Sequence, residues 1–276
     1  MSVKVKIKQN SIFKKKLNIA EIIRLTGLSY GVCDENYRLI PSKTANHTLL
    51  YDKNRLARGI DISLDNTDIV LLLSLPTTPF EIRRFYHTIE KICKAFKTKT
   101  YLREEEKVNL KDNPRFIIMD EEGSVAGLEA ISQELEKDKY NRFEIYGICN
   151  PISIGIKEVR QIDNRLDLFE EYLNKIQSLD VYYAAPRVYK VNNKLVGIYA
   201  VGANVASVVP TEPYILLNQI QGIEEWYVML KARKTIKYED FIQNIPAKEY
   251  YDFNHVIVSL SEQEVDGLIN QYGTEI

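Results

Sequence analysis

The chain has 276 residues, with 45% hydrophobic and 27% charged side chains and a formal net charge of −1. That balance describes a globular chain of one large or two ordinary domains and excludes a disordered one. No apolar run approaches the roughly 20 residues that cross a bilayer, and the Lys-interleaved N-terminus lacks the apolar core of a signal peptide.

Val3 to Gln9 alternates apolar and basic residues and predicts an amphipathic strand, followed by a basic loop with Lys14, Lys15 and Lys16. Asn18 to Leu25 predicts a short helix stopped by Gly27. Strands are expected at Tyr30–Cys33, Thr48–Tyr51, Gly59–Leu64 and Ile69–Leu75, the last buried on both faces because it is almost continuously apolar. Thr78, Pro79 and Glu81 then form a helix start, with Thr78 as cap and Glu81 as its capping-box partner. Ile82, Phe85, Tyr86, Ile89, Ile92, Cys93 and Phe96 recur at helical spacing behind it. A strand at Thr98–Glu104, a charged loop to Asp112, a strand at Arg115–Met119 and a helix at Ser124–Leu135 complete the first half.

The second half reads in similar order. Phe143–Cys149 predicts a strand and Glu158–Ile176 one helix. Strands follow at Val181–Ala184, Val188–Val191, Lys194–Ala200 and Val205–Val209, with Asn192–Asn193 as a hairpin turn. A short helix ending near Gly222, a strand at Glu225–Leu230, a helix at Tyr238–Ile245 and a strand at His255–Leu260 come next. Ser261 and Glu264 form a capping box for the last helix.

Pro76–Thr77–Thr78–Pro79–Phe80 and Pro210–Thr211–Glu212–Pro213–Tyr214 share one pattern, and Val125–Leu128 resembles Val265–Leu268. These matches predict an α+β fold of two similar halves, residues 1–140 and 141–276, from a tandem duplication. Each half is expected to be a mostly antiparallel sheet with flanking helices. Thr-capped, Pro-started helices also arise independently, which is the competing explanation.

Charge is uneven. Residues 1–140 carry 24 basic and 20 acidic residues, and the remainder 13 and 18. Tyrosine is uneven too, with 5 of 18 before residue 140. Tyr182, Tyr183, Tyr189, Tyr199, Tyr214 and Tyr227, with Trp226, lie on or beside expected strands. Tyrosine is enriched where proteins meet, and it is also an ordinary strand residue. Alternation places Tyr182 and Tyr183 on opposite faces.

The densest polar cluster is Asp34, Glu35 and Arg38 beside Cys33, which reads as a turn or as a nucleophile with an acid nearby. Cys33, Cys93 and Cys149 are widely spaced without a CxxC pair, a pattern that suits a reducing cytoplasm. His47, His87 and His255 stand alone in sequence, so no metal site is expected. The basic stripe Arg84, His87, Lys91, Lys94 is interrupted by Glu90, which disfavours nucleic acid. Neither a GxGxxG nor a GxSxG pattern occurs, so no cofactor and no catalytic residue is expected. The expected function is therefore non-enzymatic binding or regulation. Its partner is a protein or small ligand, held by the inter-repeat cleft or the tyrosine-rich second half. The candidate residues are Tyr182, Tyr183, Tyr189, Asp34, Glu35 and Arg38. The alternative is an enzyme whose site assembles from separated residues such as Asp34, Glu35, Arg38 or His87.

Gly27–Leu28–Ser29–Tyr30–Gly31–Val32, Asp34–Glu35–Asn36–Tyr37–Arg38–Leu39 and Leu75–Pro76–Thr77–Thr78–Pro79 resemble an uncharacterised family of Gram-positive bacterial proteins of unknown function. The resemblance covers the first half directly. It implies a bacterial, cytoplasmic setting and supplies no site residues.

Overall fold

Antiparallel pairing dominates the first part of the chain. The computed structural model describes residues 1–9, 18–216 and 220–275, and the chain divides into two compact units, Met1–Ser178 and Leu179–Ile276. The division falls after Ser178, whereas the sequence places it near residue 140. The expected basic loop at Lys14–Lys16 lies outside the described residues.

In the first unit, β1 (Ser2–Ile7) pairs with β6 (Asp68–Ser74) and β7 (Thr100–Arg103). The remaining strands are β2 (Ser29–Cys33), β3 (Leu39–Pro41), β4 (His47–Asp52), β5 (Arg55–Asp65) and β8 (Glu106–Asn109). The order is β3-β2-β4-β5-β6-β1-β7-β8. Burial alternates along β1 and β6. Val70 and Leu72 are therefore half-exposed, and β6 is not buried on both faces, because an antiparallel sheet covers only one face with helices.

Helix α1 (Ile19–Thr26) is capped by Asn18 and ends at Gly27 in the left-handed region, as its sequence predicts. Helix α2 (Pro79–Ala95) buries Ile82, Phe85, Tyr86, Ile89, Ile92 and Cys93 against Val3, Val5, Ile7, Ile60, Ile62, Leu71 and Leu73 of the sheet. Thr78 caps it by accepting from the Glu81 N–H. The Glu81 carboxylate does not return the bond. It points across to β5.

The expected strand at Arg115–Met119 is instead the start of α3 (Asn113–Lys137). Four consecutive apolar residues carry no period that separates strand from helix. The helix buries Phe116, Asp120, Ser124 and Leu128 at four-residue steps, and leaves Ile118 56% exposed. Its small residues permit close approach: a Cβ on Gly127 would lie 3.3 Å from the Pro76 ring, and Ser124 Oγ accepts from the Thr77 N–H at 3.2 Å. The expected loop before it contains β8, hairpinned to β7 through Glu104 and Glu105, both at positive φ.

Residues 143–178 complete this unit. β9 (Phe143–Tyr146) and β10 (Pro151–Ile154) form a hairpin. The single helix expected from Glu158 is broken into α4 (Ile156–Ile162) and α5 (Leu166–Gln177), because Asp163 and Asn164 both adopt positive φ between them. Helix α5 packs on β5 and α2.

The second unit holds two four-stranded sheets. One has the order β11 (Tyr182–Tyr183), β14 (Ser207–Pro210), β18 (His255–Val258), β17 (Glu249–Asp252), with β11 and β14 parallel. The other has the order β12 (Arg187–Val191), β13 (Lys194–Ala200), β15 (Glu225–Lys231), β16 (Lys234–Lys237), with β13 and β15 parallel. Tyr199, Val201, Val209, Val228, Val256 and Val258 form its core with α6 (Tyr238–Asn244) and α7 (Glu262–Tyr272). Ser261 and Glu264 make the capping box of α7. The helix expected after Pro213 falls partly on residues 217–219, outside the described residues, and residues 211–215 are irregular. Thus the two Pro-Thr phrases stand in different settings, one leading into a 17-residue helix and the other into irregular chain. The fold is α+β with mostly antiparallel sheets.

Candidate binding groove

Strand β11 is only two residues long, and its two tyrosines divide as alternation requires. Tyr183 is 6% exposed and Tyr182 39%. The Tyr183 hydroxyl meets His255 Nε2 at 2.9 Å, and Tyr214 reaches the same nitrogen at 3.2 Å. On the other side of the ring, Nδ1 lies 2.7 Å from Asp252 Oδ1. A carboxylate accepts, so Nδ1 carries the proton and Nε2 is left to accept from the phenols. Asp252 Oδ1 also accepts from the Asn254 N–H. Acid and imidazole are fully buried. Tyr183 is therefore an internal anchor, which leaves its neighbour Tyr182 directed outward.

Tyr182 borders a groove of about 570 Å³ with Ala185, Arg187, Tyr189, Val191, Ile198 and Met229. A second hollow of about 370 Å³ shares Tyr182, Ala200 and Met229 with it and adds Val205 and Lys231. The register explains the shared face. Arg187 stands opposite Ile198, Tyr189 opposite Val196, and Ala200 opposite Met229, and partners directly opposite point to one side. On the reverse side Trp226 covers Gly197, where a Cβ would lie 2.3 Å from the indole. Gly197→Ala is expected to displace that ring at a cost of about 1–3 kcal/mol. Trp226 is the chain's single tryptophan, so a shifted emission maximum and a lower urea midpoint check this directly.

Three charged residues border the two hollows, and all are basic: Arg187 and Lys231, and Lys190 at the rim, from a β12 position that alternates to the other face. Lys231 is paired with Asp266 at 2.6 Å and Glu262 at 3.4 Å. Arg187 and Lys190 have no ion pair among the described residues. They belong to a unit with 8 basic against 12 acidic residues, a balance of −4 over residues 179–276. The groove is thus a local basic site on an acidic unit.

Asp34, Glu35 and Arg38 lie in the first unit, in the turn between β2 and β3. Asp34 accepts from the N–H groups of Asn36 and Arg38 and pairs with the Arg38 guanidinium at 2.7 Å. Burial opposes its charge, but the Arg38 and Asn36 bonds outweigh it and hold the carboxyl below its ordinary value. Glu35 is exposed. The cluster is a self-satisfied Asx-type turn. Burial, with Asp34 and Asp61 nearby, pushes the Cys33 thiol up, and burial takes Cys149 to about 11 and Cys93 to about 12. Each shift favours the inert thiol over the nucleophilic thiolate. His87 lies on the exposed side of α2, 3.8 Å from Glu90, and no hydrogen bond or ion pair among the described residues joins it to Asp34, Glu35 or Arg38. Among the described residues no three His, Cys, Asp or Glu side chains are grouped to hold a metal, and no helix is long and apolar enough to cross a membrane.

Tyrosine content and strand placement pointed to Tyr182, Tyr183 and Tyr189, and alternation separated Tyr182 from Tyr183 without saying which of them faces outward. Met229 and Val205 escaped sequence reasoning, because they join the groove only through the parallel pairing of β13 with β15 and the chain leading into β14. No curated protein and no solved structure matches this chain. Residues 2–268 match the family described as Domain of unknown function (DUF4299), so the chain belongs to that uncharacterised family.

Proposed function

We propose that this chain is a non-catalytic binding protein whose recognition surface is the tyrosine-lined groove of the second unit. One observation carries the reading: Tyr182, Tyr189, Val205 and Met229, each more than a third exposed, all border the same pair of hollows. Exposed apolar side chains are ordinary when scattered, but gathered in one concavity they mark an interaction site. Tyrosine and methionine suit that role, one offering a large face with a polar tip and the other an adaptable thioether. The thiols of Cys33, Cys93 and Cys149 are free, which supports a reducing cytoplasm. The resemblance of residues 27–39 and 75–79 supports a Gram-positive bacterial origin.

The test is capture from host lysate by tagged full-length chain. Tyr182→Ala and Tyr189→Ala are each expected to lose the captured protein. Their unfolding midpoints should stay near wild type, because surface changes usually fall within about 0.5 kcal/mol. Full capture by both variants would overturn the reading.

A further inference from the structure

We propose that the groove takes an extended, acidic polypeptide segment of a partner protein, added as a further strand at the free edge of β12. The inference rests on the groove reading above and specifies its occupant. Among the described residues, strand β12 is the terminal member of its sheet and pairs only with β13. Its outer edge therefore presents unpaired backbone N–H and C=O groups, which are a template for a strand from another chain. Arg187, Tyr189 and Lys190 are exposed along it.

Side-chain direction then sets the pattern of the occupant. Residues of an added strand would alternate between the groove face, beside Arg187 and Tyr189, and the opposite face, beside Lys190. Apolar residues fit the first set, where Tyr182, Ile198 and Met229 lie. Carboxylates fit both Arg187 on that face and Lys190 on the other.

Charge decides against a second copy of this chain. Edge-to-edge pairing of two β12 strands would bring two copies of Arg187 and Lys190 to one seam, and like charges across strands are destabilising. The same two cations attract a carboxylate-bearing segment and speed its encounter. A basic rim on a unit that is acidic as a whole repels basic peptides at the groove more than elsewhere on the unit, so charge selectivity rests on Arg187 and Lys190 themselves.

The probe is a displayed library of random peptides panned against the full chain, with enriched sequences resynthesised for fluorescence anisotropy at low and high salt. The expected ligands alternate apolar and acidic residues and bind more weakly at high salt. Arg187→Glu with Lys190→Glu should weaken them about tenfold or more. N-methylation of alternate peptide nitrogens, which removes strand hydrogen bonds, should weaken them comparably in one of its two phases. Enrichment of neutral or basic peptides, or undiminished binding by both N-methylated series, would overturn strand addition while leaving groove binding in place. If no peptide is enriched, or if enriched peptides bind Tyr189→Ala as well as wild type, both the occupant and the groove reading fall.

Discussion

Glu81→Ala is expected to destabilise the first unit by about 3–5 kcal/mol, because three donors lose one buried acceptor at about 1–3 kcal/mol each. The carboxylate is 7% exposed and accepts from the Gly59 N–H at 2.6 Å, the Arg58 N–H at 3.2 Å and the Thr77 hydroxyl. It ties the first turn of α2 to the centre of β5. Gly59 adopts a positive φ there, a conformation that alanine would strain. Alanine at 81 leaves the Gly59 and Arg58 N–H groups and the Thr77 hydroxyl without their acceptor. The Arg58 side chain would keep its bonds to the Pro76 and Tyr146 carbonyls, which limits the loss to this range. Urea unfolding of both proteins is the measurement.

The same group predicts a pH dependence. Burial pushes the Glu81 carboxyl above its ordinary value, against the opposing bonds from Thr77, Gly59 and Arg58. A carboxyl raised in the folded state binds its proton more tightly there than in the unfolded chain. Its contribution is therefore full below the ordinary carboxylate value and declines as pH rises towards the raised one. The stability difference between wild type and Glu81→Ala should accordingly be larger at mildly acidic than at neutral pH. A difference that grew with pH would show instead that Arg58 and the two N–H groups dominate and hold the carboxylate ionised.

Glu81 also marks a limit of sequence reasoning. Thr78-x-x-Glu81 is a regular capping-box phrase, and Ser261-x-x-Glu264 closes such a box in the structure. The two phrases are locally alike. They differ in burial, which decides whether the carboxylate folds back on its own helix or crosses to another element. The face of α2 was legible because seven apolar residues kept helical spacing under a defined cap. The first turn of α3 was not, because Phe116–Met119 carries no period. Its real signal was the small residues Gly123, Ser124 and Gly127, which matter only once Leu75, Thr77 and Pro76 are known to lie against them in turn. Strands β3, β10, β16 and β17 are three or four residues long, and pairing partners rather than local preference create them. In the groove, Tyr182 and Tyr189 followed from tyrosine content and their place on expected strands, which named the buried Tyr183 as well. Arg187 and Lys190 were visible as charges, but their edge position depends on the strand order.

Asp252→Ala is the corresponding prediction for the second unit, with an expected loss of about 2–5 kcal/mol from orphaned buried donors. The carboxylate side chain is fully buried and accepts from both His255 Nδ1–H and the Asn254 N–H. Without it, the imidazole loses the partner that fixes its tautomer, and Nε2 is no longer held as the acceptor for Tyr183. Asp252→Asn keeps an acceptor oxygen and should cost less than alanine. The consequence reaches the surface through β11, since Tyr183 anchors the strand that presents Tyr182. Asp252→Ala at a temperature where the unit remains folded should therefore weaken capture at the groove. Tyr183→Phe, which removes one hydroxyl and keeps the ring, should cost about 0.5–1.5 kcal/mol and leave capture largely intact. Equal loss of capture in both variants would mean that the hydroxyl-to-imidazole bond itself sets the position of Tyr182. Full capture by Asp252→Ala would mean that ring packing of Tyr183 against Tyr251 and His255 is enough.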